Sequence, residues 1–100
     1  MSGPVYLTAI LTVPSQGAAE LEQEIKHCVV QAREEPACQH YSFYGDIEKP
    51  GRFIANEVWA SQVGLEAHNA SPHLQALVAT LKRLGGDIEV IKVSPIEPRA

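Results

Sequence analysis

Glu57 and Trp59 stand two residues apart in a run whose residue types favour a strand, so both side chains lie on one face. A carboxylate beside an indole on an apolar sheet has two readings. It is a general base or hydrogen-bond acceptor in a pocket walled by the ring. Alternatively Glu57 is paired to a basic group or backbone donors while Trp59 fills the core. His68 falls near the end of a short helix, where an imidazole titrating near neutrality can move a proton or simply sit half-exposed. His73 opens the next helix, a position that disfavours positive charge and suits a neutral ring hydrogen-bonded locally. The catalytic candidates are therefore His68, Glu57 and Trp59, with Tyr41, Asn56 and His73 as substrate-binding candidates. Tyr41 and Tyr44 alternate across one strand, so only one of them can face a given pocket.

Other chemistries lack their residues. His68 and His73 are separated by a helix break with no third ligand in the same stretch, so no metal is expected. Gly85-Gly86 precedes Asp87 without the Lys-Ser/Thr of a phosphate loop, and no Gly-x-Ser-x-Gly elbow occurs. No nicotinamide, flavin or haem cofactor is expected on this pattern. Cys28 lies on an apolar helical face and reads as an inert core thiol, as does Cys38 at the start of a strand.

The elements that must position these groups follow from hydrophobic period. Val5 to Val13 alternates as a strand with Val5, Leu7, Ala9, Leu11 and Val13 on one face. Ala18, Leu21, Ile25, Cys28, Val29 and Ala32 then fall at helical spacing, with Ser15 predicted as the N-cap and Pro36 as the stop. A second strand is predicted over 38–47, and Pro50-Gly51 fits the centre of a type II turn leading into a third over 53–60. Ser61 caps a short helix to about Asn69. Ser71-Pro72 restarts a helix whose apolar face is Leu74, Leu77, Val78, Leu81 and Leu84. Gly85-Gly86 ends it before a last strand over 88–93. The order strand, helix, strand, strand, helix, strand predicts a ferredoxin-like α+β fold. Ile10, Ile54, Val58, Ile91 and Val93 make the second face of the sheet apolar too. Two helical segments cover one face only, so a homodimer packed sheet to sheet is expected.

One hundred residues predict a single domain with its core over about 5–93. Net charge is −4, from 8 basic and 12 acidic side chains, which leaves no basic stripe for nucleic acid. No run approaches the ~20 apolar residues that span a bilayer, so no membrane association is expected. Met1-Ser2-Gly3-Pro4 does not read as a signal peptide, which makes a cytoplasmic location the expectation and the Asn69-Ala70-Ser71 sequon accidental.

Arg33-Glu34-Glu35-Pro36-Ala37-Cys38, Tyr41, Pro50 with Phe53, Glu57-Val58-Trp59-Ala60-Ser61, Leu65, His68 and Ser71-Pro72-His73 together resemble the antibiotic biosynthesis monooxygenase domain. Ala37 stands where that family usually shows glycine. The resemblance implies a dimeric α+β barrel with a pocket between each sheet and its own helices, approached by Trp59, His68 and Glu57. It also implies a cofactor-independent oxygenase acting on a quinol, polyphenol or similar small aromatic with dioxygen. In that reading His68 or Glu57 handles the proton, Trp59 stacks on the substrate ring, and Tyr41 or Asn56 positions an oxygen. Haem degradation is not implied, because the first strand has no asparagine and His68 stands at the helical tryptophan position. A small-molecule isomerase of the same family, or a non-catalytic dimer that binds a ligand or partner, are the alternative functions.

Overall fold

A computed structural model describes residues 3–98, so Met1 and Ser2 of the N-terminal segment read above lie outside the described residues. The elements are β1 (Val5–Thr12), α1 (Ala18–Ala32), β2 (Cys38–Gly45), β3 (Arg52–Trp59), α2 (Gln62–Asn69), α3 (Pro72–Arg83) and β4 (Asp87–Val93). The strands form one antiparallel sheet in the order β2-β3-β1-β4, with the helices against one side. This is the ferredoxin-like α+β arrangement, and it agrees with the periodicity.

The strand period decides which residues meet. Leu7, Ala9 and Leu11 of β1, and Val13 just past its end, are buried, beside Phe53, Ala55, Glu57 and Trp59 of β3. From the helices come Leu21, Ile25, Cys28 and Ala32, then Leu65, and then Leu77 and Leu81. Burial of this set from water is the main source of stability. Arg83 of α3 reaches Glu20 of α1 at the surface, an exposed pair that adds little to that core.

Two local readings need correction. Ser15 does not cap α1. A single 3-10 turn, Ser15–Gly17, follows Pro14 and leads into the helix with no side-chain cap. The second strand stops at Gly45 rather than at 47, because Asp46 turns the chain: its carboxylate accepts from the Glu48 and Lys49 amides. The other caps agree with prediction. Ser61 accepts from the Gly64 amide and Ser71 from the Leu74 amide, each three residues into its helix.

The β2–β3 turn is closed by the Arg52 amide donating to the Lys49 carbonyl, 3.1 Å away. Gly51 has φ 93°, as the third position of a type II turn demands, and its carbonyl accepts from the Val13 amide at 2.8 Å. A Cβ there would lie 2.3 Å from the Val13 oxygen. Gly51→Ala therefore combines a strained backbone with a backbone clash. It is expected to lower unfolding free energy by about 2 kcal/mol or more, read as a lower urea midpoint at unchanged slope.

Candidate functional site

β3 runs through the middle of the site. Glu57 lies between Leu7 on one neighbour and Tyr41 on the other, and Trp59 between Val5 and Cys38. The β2 register shifts between Cys38 and His40, and this bulge absorbs one residue. Tyr41 is thereby set opposite Glu57 with its ring in the core. Its hydroxyl is 3.5 Å from the Cys28 sulfur of α1.

The helices supply the rest. Gly64, Leu65 and His68 form the buried face of α2, and only 1% of His68 is exposed. The Ser71 hydroxyl donates to the His68 carbonyl at 2.6 Å while capping α3, so one side chain joins the end of α2 to the start of α3. That joint sets His73 near His68, with ring centroids 5.9 Å apart. α1 ends at Ala32, four residues short of Pro36, and the Cys38 amide donates to the Glu35 carbonyl at 3.0 Å, a tight turn that aims Glu35 inward. Ala37 fits this turn without positive φ. A Cβ on Gly64 would lie 2.3 Å from the Ala37 methyl, so the absent side chain on α2 leaves the room that Ala37 occupies.

The resulting geometry is a buried polar cluster in an aromatic shell. One oxygen of Glu35 lies 2.6 Å from His68 Nδ1 and 2.7 Å from His73 Nε2. The other ring nitrogen of His68, Nε2, faces Glu57 Oε1 at 4.0 Å. That same Glu57 oxygen accepts from the Trp59 indole N–H at 2.9 Å. His68 stacks on Trp59 at 4.3 Å and 29°, and meets Tyr41 edge-on at 5.1 Å.

The structure therefore brings together Glu57, Trp59, His68, His73 and Tyr41, and it leaves Asn56 out. Asn56 faces the opposite side of the sheet, where its side-chain oxygen accepts from Thr8 at 3.3 Å. The even-numbered positions of β3 cannot share a face with Glu57. Where the residue types left alternatives open for Glu57 and His68 the structure selects one, and for His73 it overturns the local bond expected. Glu57 takes its donor from Trp59 itself rather than from a basic group. His68 is buried rather than half-exposed, and His73 bonds across 38 residues rather than locally. Trp59 is wholly buried with one face covered by His68, so in this structure it backs the imidazole and is not open to a substrate ring.

Glu35 is the site residue that periodicity missed. It sits in a turn, where no period operates, and its only signal was the Glu-Pro-x-Cys element of the resemblance. It also supplies the third donor that the stretch 68–73 lacks, since the ligand atoms of Glu35, His68 and His73 lie within 4.8 Å of one another. The oxygen–nitrogen separations of 2.6 and 2.7 Å are hydrogen-bond distances. A tetrahedral zinc with bonds of about 2.0–2.1 Å needs its ligands roughly 3.3 Å apart. The trio would have to open before it could hold a cation.

Burial sets the electrostatics. Desolvation raises Glu57 from 4.5 to about 7, against the Trp59 hydrogen bond that lowers it; the Glu35 charge adds to the rise. Desolvation lowers His68, opposed by its bond to Glu35, and so favours the neutral ring. Cys28 is pushed up to about 11 and the Tyr41 phenol is also raised, both chiefly by burial. Neither is a ready nucleophile.

Grooves indent the surface beside this cluster. One of about 500 Å³ runs between α1 and the hairpin, lined by Ile25, Val29, Phe43 and Phe53 with Arg33 among its polar residues. The Arg33 Nε–H donates to the Tyr41 carbonyl at 2.9 Å, and Phe43 touches the Tyr41 ring at 5.8 Å. The Tyr41 ring thus lies behind Phe43 of the groove, between it and His68. A groove of about 390 Å³ between α1 and α3 is lined by His73.

With fold and site in view, the comparisons are consistent. Residues 4–80 match the family model of antibiotic biosynthesis monooxygenases, and the chain belongs to that family. A Pseudomonas aeruginosa protein superposes with a TM-score of 0.87 at 24% identity, covering 97% of this chain and 98% of its own. Rv0793 from Mycobacterium tuberculosis gives 0.85 at 21% identity, covering 98% and 100%. A Deinococcus radiodurans protein assigned to the antibiotic biosynthesis monooxygenases gives 0.84 at 26% identity, covering 96% of each chain. By sequence, the uncharacterized Synechocystis protein sll1783 is 36% identical over 47 residues, 47% of this chain but 32% of that protein. The match thus spans about a third of that curated relative's length. Among the described residues no helix is long and apolar enough to cross a membrane.

The Glu57 carboxyl has a measurable signature. Its folded value lies above the unfolded one, so between about pH 4.5 and 7 the folded state binds the extra proton. Stability from this group is complete at low pH and is lost as pH rises through 7. Glu57→Gln keeps an acceptor for Trp59 and removes the charge. It is expected to stabilise the protein at pH 8 by roughly 2–3 kcal/mol. The gain should vanish by pH 4.5, as measured by urea unfolding at both pH values.

Proposed function

We propose that this protein is a cofactor-independent monooxygenase that oxidises a quinol, polyphenol or similar small aromatic with dioxygen, and that His68 is its base. The observation that carries this reading is the orientation of His68. Glu35 takes one ring nitrogen, burial favours the neutral ring, and the remaining nitrogen faces the interior beside Glu57. Such a nitrogen can take a phenolic proton, and the aromatic walls exclude the water that would compete for it. Membership of the monooxygenase family supports the same reading.

The chemistry asks the protein for a base and a dry surface. Deprotonation turns a hydroquinone into an electron-rich phenolate that itself reduces oxygen. One oxygen atom forms a new C–O bond and the other leaves as water, so hydroquinone plus O₂ gives hydroxyquinone plus H₂O. The substrate supplies all four electrons. The groove along Phe43 and Phe53 has the size and apolar lining for one or two aromatic rings, with Arg33 to face an anionic oxygen. Tyr41 separates that groove from His68, so a substrate there reacts once the Tyr41 ring has moved aside. Glu57, raised by burial, is the second acid–base group. Trp59 orients His68 by stacking, and His73 acts through Glu35.

The homodimer is part of this proposal. The strand face away from the helices carries Tyr6, Ile10, Ile54, Val58, Ile91 and Val93, and Ile91 and Val93 are well exposed. A second copy packed on this face removes it from water. Light scattering at micromolar concentration is expected to give twice the chain mass, and a stable monomer would contradict the sheet-to-sheet arrangement. The domain is proposed as a single unit over about 5–93 that works in the cytoplasm without nucleic acid or membrane.

Turnover is tested by offering a panel of hydroquinones and polyphenols with and without oxygen, following oxygen uptake and product. Oxygen-dependent turnover is expected, falling at least about 100-fold in His68→Ala, the low end for a lost general base. Oxygen-independent conversion of a carbonyl compound would instead establish the isomerase. Binding that alters Trp59 fluorescence without turnover would identify a non-catalytic ligand-binding dimer.

A further inference from the structure

We propose that Glu35 is a positioning residue that holds His68 in the Nδ1–H tautomer, and that His73 is the second donor that keeps the Glu35 oxygen in place. The argument starts from hydrogen-bond capacity. A carboxylate accepts and cannot donate, yet one oxygen of Glu35 lies within bonding distance of two imidazole nitrogens, at 2.6 and 2.7 Å. Each nitrogen must therefore carry its proton. For His68 that nitrogen is Nδ1, and a neutral ring then has its lone pair on Nε2. Without Glu35 the balance would reverse, because Glu57 Oε1 lies 4.0 Å from Nε2 and would draw the proton to that side.

Every element packed around His68 contributes to this choice. The turn before β2 brings Glu35, β2 brings the Tyr41 ring, β3 brings Glu57 and Trp59, and α3 brings His73. Cys28 of α1 is held behind Tyr41. Two carboxylates thus flank one imidazole from opposite sides, and the shorter contact selects the tautomer. Glu57 is already engaged by the indole N–H at 2.9 Å, whereas among the described residues the side-chain donors to Glu35 are the two imidazoles.

His73 has a distinct part. It reaches Glu35 from the solvent side, lining the groove between α1 and α3 with Glu24, His27 and Gln31. Its N–H occupies the oxygen that would otherwise be free to rotate toward water. Removing it leaves the His68–Glu35 bond possible but loosely held.

This rests on the reading of His68 as a base, but its test needs no turnover. Two-bond nitrogen–proton correlation spectra of protein with ¹⁵N-labelled histidine, recorded at pH 8, report which ring nitrogen bears the proton. The wild type is expected to show His68 with Nδ1 protonated and Nε2 bare. Glu35→Ala is expected to raise the Nε2–H to Nδ1–H ratio about tenfold, the factor carried by one modest hydrogen bond, and Glu35→Gln, which keeps an acceptor oxygen but loses the charge, to raise it less. His73→Ala is expected to speed exchange of the His68 Nδ1 proton with water by a similar factor. His73→Gln, which retains a donor, restores the slow exchange. Circular dichroism and the emission of Trp59 establish that each variant is folded. A wild type with Nε2 protonated overturns the proposal, as does an unchanged tautomer ratio in both Glu35 variants. Unchanged exchange in His73→Ala overturns the part assigned to His73. The expected spectra without turnover on any phenol would leave this inference standing and defeat the oxygenase reading.

Discussion

One carboxylate oxygen holds three parts of the chain together. Glu35, in the turn before β2, meets His68 at the end of α2 and His73 at the start of α3 within 2.7 Å of each. The buried imidazole depends on that oxygen for its orientation, and the joint between α2 and α3 depends on it for its position over the sheet. Ser71 adds a second constraint by capping α3 while donating to the His68 carbonyl. Polar groups in a dry interior must find partners or destabilise the fold, and here the two imidazoles find theirs in a turn outside their own helices while Glu57 finds its donor on its own strand. The requirement that stabilises the cluster is also what aims its free nitrogen.

The sheet contributes by alternation. β3 carries Glu57 and Trp59 on the helix-covered side, and the bulge in β2 delivers Tyr41 to the same side. The other side carries Asn56 between Thr8 and Ser42, with Ile10, Ile54, Val58, Ile91 and Val93 on the same face. One sheet thereby separates two jobs, a polar cluster under the helices and an apolar surface suited to a second copy of the chain. Burial under the helices then makes the two carboxylates unequal. Glu57 is shifted upward by desolvation while Glu35, at the mouth, collects two donors.

Much of the fold was legible because periods of 2 and 3.6 survive without tertiary information. The buried rows of β1 and β3, the apolar faces of α1 and α3, the Ser61 and Ser71 caps and the Pro50-Gly51 turn all follow from local residue types. The pairing of Glu57 with Trp59 on one face was legible for the same reason; the same alternation puts Asn56 on the opposite face, so its place among the substrate-binding candidates was an error that strand period alone could have caught. Ser15 misled because a serine before a helical run is equally at home in a 3-10 turn. Glu35 was not legible from the residues themselves, since a side chain in a turn has no period to declare its direction.

The sequence alone determined the elements, their order, the apolar rows and the chemical types available: two imidazoles, one carboxylate and one indole near a sheet. Those are properties of neighbours along the chain. Tertiary structure decided which of these groups touch. The separation of 33 residues between Glu35 and His68, and of 38 between Glu35 and His73, is bridged only when the helices settle on the sheet. It also decided that Trp59 supports His68 instead of standing open, because stacking depends on the angle at which α2 crosses β3. Desolvation is likewise a collective effect: burial in the closed core is the largest cause both of the rise of Glu57 and of the preference of His68 for its neutral form.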